Sequence, residues 1–297
     1  MNKQKRVIII AGPTGSGKTD LSLQLAVHFN TAIISADSRQ CYRELNIGVA
    51  KPPEESLQSV KHYFINSHSI HENVNAEIFE KYALNAAEEI FEQNDTAIMV
   101  GGTGMYIKAF CEGLDEIPSI DLALRNNIIT NYNDKGLFWL QQQVRRKDPD
   151  FWKEAEQQNP QRLMRALEVI TATGISITQF RKNKKKERPF GIIKVGIELP
   201  KQQLYEQINN RVDVMIKNGL VEEVSSLLPY KELNALQTVG YKEIFDYLEG
   251  YMALSESIQK IKSNTRQYAK RQLTWFKRDK NLKWFVPGHL LESFLAE

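Results

Sequence analysis

Val7-Ile8-Ile9-Ile10-Ala11-Gly12-Pro13-Thr14-Gly15-Ser16-Gly17-Lys18-Thr19 is the stretch on which the fold turns. Val7 to Ile10 is a short β-branched apolar run closed by Gly-Pro, the signature of a buried strand. From Lys18 to Phe29 the spacing changes, with Leu21 and Leu25 four apart, as on one face of a helix. Between them Gly12, Pro13, Thr14, Gly15, Ser16, Gly17, Lys18 and Thr19 fit the phosphate-loop pattern of two glycines followed by Lys and Ser/Thr. Glycines let backbone N–H groups converge on phosphate oxygens, and the helix N-terminus adds partial positive charge. Lys18 neutralises anionic charge there, and the Thr19 hydroxyl is a ligand for Mg²⁺. The loop specifies a pyrophosphate-like group and leaves its carrier open.

Outward from the loop, Ala32 to Ser35 and Ala97 to Val100 repeat the short apolar signature of buried parallel strands. No comparable strand follows from Ile117 to Gly174, where Leu163, Leu167 and Ile170 form a helical stripe. Ile192 to Leu199 reads as a returning strand. Leu204, Ile208, Val212 and Met215 then share a helical face that Gly219 ends. The reading is an α/β fold, a parallel phosphate-loop core over residues 1–114 and 191–297, interrupted by a helical insertion over 115–190. With 297 residues, 42% hydrophobic and 25% charged, the composition is that of a globular protein; 16 Gly and 10 Pro exclude fibrous classes. Cys41 and Cys111 alone argue against a disulfide framework or a four-thiolate zinc site. The longest apolar run, Val7 to Ala11, is too short for a membrane span. Met1 to Arg6 precedes it without a cleavage pattern, so a cytoplasmic protein is expected.

Asp37 ends the second apolar segment. It suits a metal held through water, a carboxylate beside a substrate together with Ser38, Arg39 and Gln40, or a helix cap. Gly101-Gly102-Thr103-Gly104 follows the third strand, at the carboxyl edge where open α/β sheets bind ligands. Thr103 either hydrogen-bonds into the site or caps the next helix. Arg162 and Arg165 share one side of a helix opened by Asn159-Pro160; an Arg165 to Glu168 surface pair is the plain alternative. The Arg181 to Arg188 run reads as a solvated hinge or a polyanion contact. Lys260 to Lys283 holds nine Lys or Arg against one acidic residue, Asp279. Lys262, Arg266 and Lys270 recur at helical spacing while Ile261, Tyr268 and Trp275 mark another face, so such a helix buries its aromatics and turns cations toward phosphates or water. His68 and His71 lack partners for a metal, and Cys41 lacks a nearby His.

Taken together, these blocks resemble the tRNA dimethylallyltransferase (tRNA isopentenyltransferase) family in its bacterial form. The resemblance rests on the phosphate loop, Ser35-Ala36-Asp37-Ser38-Arg39-Gln40-Cys41-Tyr42, Asn46-Ile47-Gly48-Val49-Ala50-Lys51-Pro52, Val100 to Tyr106, Gln161 to Val169, Val239-Gly240-Tyr241-Lys242-Glu243 and Thr265 to Gln272, in family order over nearly the whole chain. Gly15 stands where alanine is usual and Val49 where threonine is common. The resemblance implies a nucleoside-kinase-like core whose helical insertion contacts the tRNA anticodon arm. It also implies transfer of a dimethylallyl group from dimethylallyl diphosphate to N6 of the adenosine at position 37, 3′ of the anticodon, by a monomer with Mg²⁺. In keeping with the bacterial form, no zinc finger of the eukaryotic type is expected after Trp284. Asp37, Thr103 and Arg125 are then expected to be catalytic, and Arg211, off the apolar stripe of its helix, joins the loop in holding the diphosphate. The tRNA contacts implied are Asp37, Ser38, Arg39, Gln40, Gln161, Arg162, Leu163, Met164, Arg165, Gly240, Tyr241, Lys242, Arg266 and Lys270. A small-molecule kinase using ATP on the same loop, or an RNA-binding module without activity, remains open at the level of the residues alone.

Overall fold

The structure, a computed structural model, describes residues 5–182 and 184–285. Its strands are β1 (Arg6–Ala11), β2 (Ile33–Ser35), β3 (His62–Tyr63), β4 (Thr96–Gly101), β5 (Gly191–Ile197) and β6 (Lys283–Phe285). They form one six-stranded sheet in the order β3-β2-β4-β1-β5-β6, parallel at every pairing. β1 sits centrally because both its faces are apolar. Val7 and Ile9 enter the core on one face, Ile8 and Ile10 that on the other, all fully buried.

The helices are α1 (Lys18–His28), α2 (Glu54–Ser59), α3 (Ala76–Phe91), α4 (Gly104–Glu112), α5 (Leu122–Lys147), α6 (Pro149–Glu154), α7 (Pro160–Thr173), α8 (Ile177–Phe180), α9 (Lys201–Lys217), α10 (Leu220–Ser226), α11 (Tyr241–Leu248) and α12 (Leu254–Phe276). Leu25 and Ala26 of α1 cover one face of the sheet. Residues of α3, α4, α11 and α12, among them Phe79, Phe110, Ile244 and Ile261, build the larger core on the other. The cationic helix expected over Lys260 to Lys283 ends at Phe276, and Lys283 begins the edge strand β6. Neither two- nor three-residue edge strand β3 or β6 had a periodicity that could be read from sequence.

Gly113–Lys186 forms a compact unit distinct from the rest of the chain. Among its described residues the regular elements are all helices, with Ile128, Leu140, Val144, Leu163, Leu167 and Val169 in its own core. Asp148 and Asn159 cap α6 and α7 through their side chains, and α5 kinks where Gly136 leaves helical geometry.

Candidate active site

Gly17 starts α1 with φ +82°, a backbone setting that suits glycine and brings the loop into the helix axis. The loop 14–19 lines a cavity of about 760 Å³, together with Asp37, Ser38, Arg39, Gln40, Arg211 and residues of α11 and α12. Lys18 donates to the carbonyl of Pro13 at 2.6 Å. Burial, reinforced by the nearby Arg211 charge and opposed by Asp37, pushes the Lys18 ammonium down to about 7. Arg211 reaches Thr14 Oγ1 at 3.4 Å from α9. Two acidic residues on the same helix are engaged elsewhere: Glu206 accepts from Gln202, and Asp213 pairs with Lys262 at 2.6 Å. Ser16 Oγ is buried and has no hydrogen-bond partner, an orphaned donor of the kind a phosphate oxygen satisfies.

Asp37 follows β2 in a turn rather than a helix. Its Oδ1 accepts the N–H groups of Arg39 at 2.8 Å and Gln40 at 3.3 Å, which fixes the carboxylate while Oδ2 makes no hydrogen bond among the described residues. Thr103 Oγ1 accepts the Ser38 N–H at 3.1 Å and so ties this turn to the glycine turn after β4. Thr103 itself is not among the residues lining the cavity. The Cys41 thiol, pushed up to about 12 by burial and by Asp37, is no nucleophile.

Among the described residues no three His, Cys, Asp or Glu side chains cluster as a metal cage. The donor set suits Mg²⁺ nonetheless. The Thr19 hydroxyl and the Asp37 carboxylate both line the cavity, and that ion is ordinarily held by few protein oxygens plus phosphate and water.

Several expected contacts take other roles. Tyr241 is fully buried and donates to Glu223 at 2.5 Å, so it braces the site instead of facing RNA. Leu163 and Met164 lie in the core of the helical unit. Gln40 spends its amide on the carbonyls of Val49 and Ala50 and on Ser35, holding the 49–50 loop. Arg165 pairs with the buried Glu168 at 3.0 Å, and Arg125 approaches the same carboxylate at 3.7 Å. Arg162 pairs with Glu156 at 3.2 Å, beside the exposed Gln161. Arg188 is no solvated end of a basic run: its side chain, 9% exposed, pairs with Glu80 at 2.7 Å and donates to Phe110 O. On α12, Lys262 is held by Asp213, Arg266 donates to Asn209 at 2.7 Å, and Lys270 is exposed. Tyr268 is not buried with Ile261: it is 36% exposed and lines the cavity, its hydroxyl pushed up to about 12 by local desolvation and Asp37. Lys242 and Gly240 also line the cavity.

Two residues escaped the sequence reading. Glu223 accepts the N–H groups of Ile47 and Gly48 as well as the Tyr241 hydroxyl, and it lies on a helix with no motif around it. Gln272 lies inside a block quoted for the resemblance, but its amide is recognisable as a clamp only from its partners, Thr14 and Gly102.

A parallel α/β sheet carrying a phosphate loop at its carboxyl edge, with a fixed carboxylate across the same cavity, defines a phosphate-loop protein equipped for group transfer. The chain belongs to the IPP transferase family, whose model matches residues 40–279. It is 47% identical to the tRNA dimethylallyltransferase of Christiangramia forsetii, over 94% of this chain and 92% of that protein. Among solved structures it resembles the full-length tRNA isopentenylpyrophosphate transferase of Bacillus halodurans, with TM-score 0.69 and 35% identity over 96% of this chain and 90% of that one. It also resembles a eukaryotic dimethylallyltransferase acting on tRNA, with TM-score 0.78 and 27% identity over 95% of this chain and 74% of that one. Among the described residues, no helix is long and apolar enough to cross a membrane.

Proposed function

We propose that this protein transfers a dimethylallyl group from dimethylallyl diphosphate to N6 of the adenosine at position 37 of tRNA, releasing diphosphate. One observation carries the reading: a single cavity joins the phosphate loop with Lys18 and Arg211 to the fixed Asp37 carboxylate. Lys18, Arg211, Ser16 and the loop amides hold the diphosphate and stabilise the charge that grows on it as the allylic C–O bond breaks. Mg²⁺, held by Thr19 and phosphate oxygens, supplies further neutralisation of that charge when bound. Asp37 is oriented by the Arg39 and Gln40 amides, so Oδ2 is available to position the adenine amine. The N6 lone pair is delocalised into the ring and its proton turns acidic only as the N–C bond forms, so Oδ2 takes that proton late. The adenine leaves its stack to reach a carboxylate inside a cavity, and Ser38, Arg39, Lys242 and Tyr268 line its path.

The helical unit 113–186, with Gln161, Arg162 and Arg165, contacts the anticodon arm in this reading, Arg125 keeps the catalytic role that the resemblance implies, and Arg266 and Lys270 add phosphate contacts. In this reading the protein acts in the cytoplasm as a monomer. Incubation with labelled dimethylallyl diphosphate and tRNA, followed by nucleoside mass analysis, tests the proposal against labelled ATP with small hydroxyl compounds. Phosphoryl transfer from ATP without prenylated adenosine overturns it.

A further inference from the structure

Gln272 of α12 is buried, and both polar atoms of its amide are engaged between two loops of the site. Its Oε1 accepts the Thr14 N–H at 2.9 Å, and its Nε2 donates to the Gly102 carbonyl at 2.9 Å. Gly102 approaches so closely that a Cβ there would stand 2.1 Å from Gln272 Nε2. The bonded path continues: Thr103 N–H donates to Ala36 O at 3.2 Å, Ser38 N–H donates to Thr103 Oγ1, and the Arg39 and Gln40 amides hold Asp37. The phosphate loop and the carboxylate thus lie at two ends of one hydrogen-bonded chain, and Gln272 is the link between them.

We infer that Gln272 is a positioning residue that sets the separation between the diphosphate and Asp37. The inference rests on the proposed prenyl transfer, because only a reaction between groups held at the two ends makes their separation matter. Gln272 takes the Thr14 amide out of the anion cradle, so it adds nothing to donor affinity; it fixes where the cradle stands. A displacement of about 1 Å between reacting groups costs on the order of 10²-fold in rate.

Gln272→Leu removes both bonds and is expected to lower kcat by about that factor, with the donor KM and the tRNA Kd within about threefold of wild type. Gln272→Glu keeps the acceptor for Thr14 but turns a lone pair toward the Gly102 carbonyl when ionised. Its protonated carboxyl restores the donor, so its kcat relative to wild type rises as pH falls. Amide exchange should quicken at Thr14 and at Ser38–Gln40 together in Gln272→Leu, a readout independent of turnover. Wild-type prenylation in the same assay tests the reaction, separately from the comparison among variants. The inference is overturned by losses carried in donor KM or tRNA Kd with kcat unchanged, by a Gln272→Glu profile parallel to wild type, or by exchange that quickens at neither segment.

Discussion

Lys18 and Arg211 line one cavity from two helices, but only the lysine titrates near neutrality. Burial lowers it, so the folded chain binds fewer protons than the unfolded one between about pH 7 and 10.5. The destabilisation this causes is complete below that window and disappears as pH rises through it. A diphosphate against Lys18 restores its proton. Donor binding at pH 8 should therefore take up close to one proton, measurable by calorimetry in buffers of different ionisation enthalpy, and affinity should weaken as pH rises above 7. Lys18→Arg, always charged, should bind without uptake; equal uptake in both proteins would place the proton elsewhere. For Asp37, Asp37→Ala should lower single-turnover rates by about 10² or more while leaving tRNA affinity nearly intact, since phosphate contacts dominate that affinity. Recovery of the rate across a Mg²⁺ series would make Asp37 a metal holder and not the proton acceptor.

Helix α12 carries both scaffold and cavity-lining residues. Its ion pair through Lys262 to Asp213 of α9 joins the two helices that flank the cavity, whereas Lys270 stands exposed. A phosphate contact on single-stranded RNA contributes about −0.7 to the slope of log affinity against log salt. Lys270→Ala should make that slope shallower by about this amount, and Lys262→Ala should leave it nearly unchanged; equal changes in filter-binding titrations would mean that Lys262 leaves Asp213 to meet RNA. The central strands, α1, α9 and the loop were legible because their apolar periodicity and glycine spacing are local. The division of labour along α12 was not, because Lys262 and Lys270 differ only in what the rest of the fold sets beside them. Tyr241, Leu163 and Met164 illustrate the same point: a motif marks a position as important without saying whether its side chain faces a ligand or the core. The phosphate loop is the converse case, since its chemistry resides in backbone and in Lys18, both fixed by local sequence.

The helical unit leaves and re-enters the chain at neighbouring points, for the backbone at Gly113 lies against the Lys186 side chain. Each unit has a core of its own. Replacing residues 113–186 with a short Gly/Ser linker should thus leave a folded protein that binds dimethylallyl diphosphate but loses most of its tRNA affinity; retained tRNA binding in a gel-shift titration would move the RNA surface onto the core.

The placement of β1 at the centre of the sheet sets a timetable for synthesis. Arg6 pairs with Thr96 and with Gly191, about 90 and 185 residues downstream. At roughly 5–20 residues per second, the ribosome needs on the order of 10–40 s to deliver the second of these partners. For that interval a run of β-branched residues keeps one hydrogen-bonding edge open, while an entire helical unit is made and can fold in between. Nascent chains stalled before β5 should be held by chaperones and cut readily within β1, and chains carried past it should become resistant.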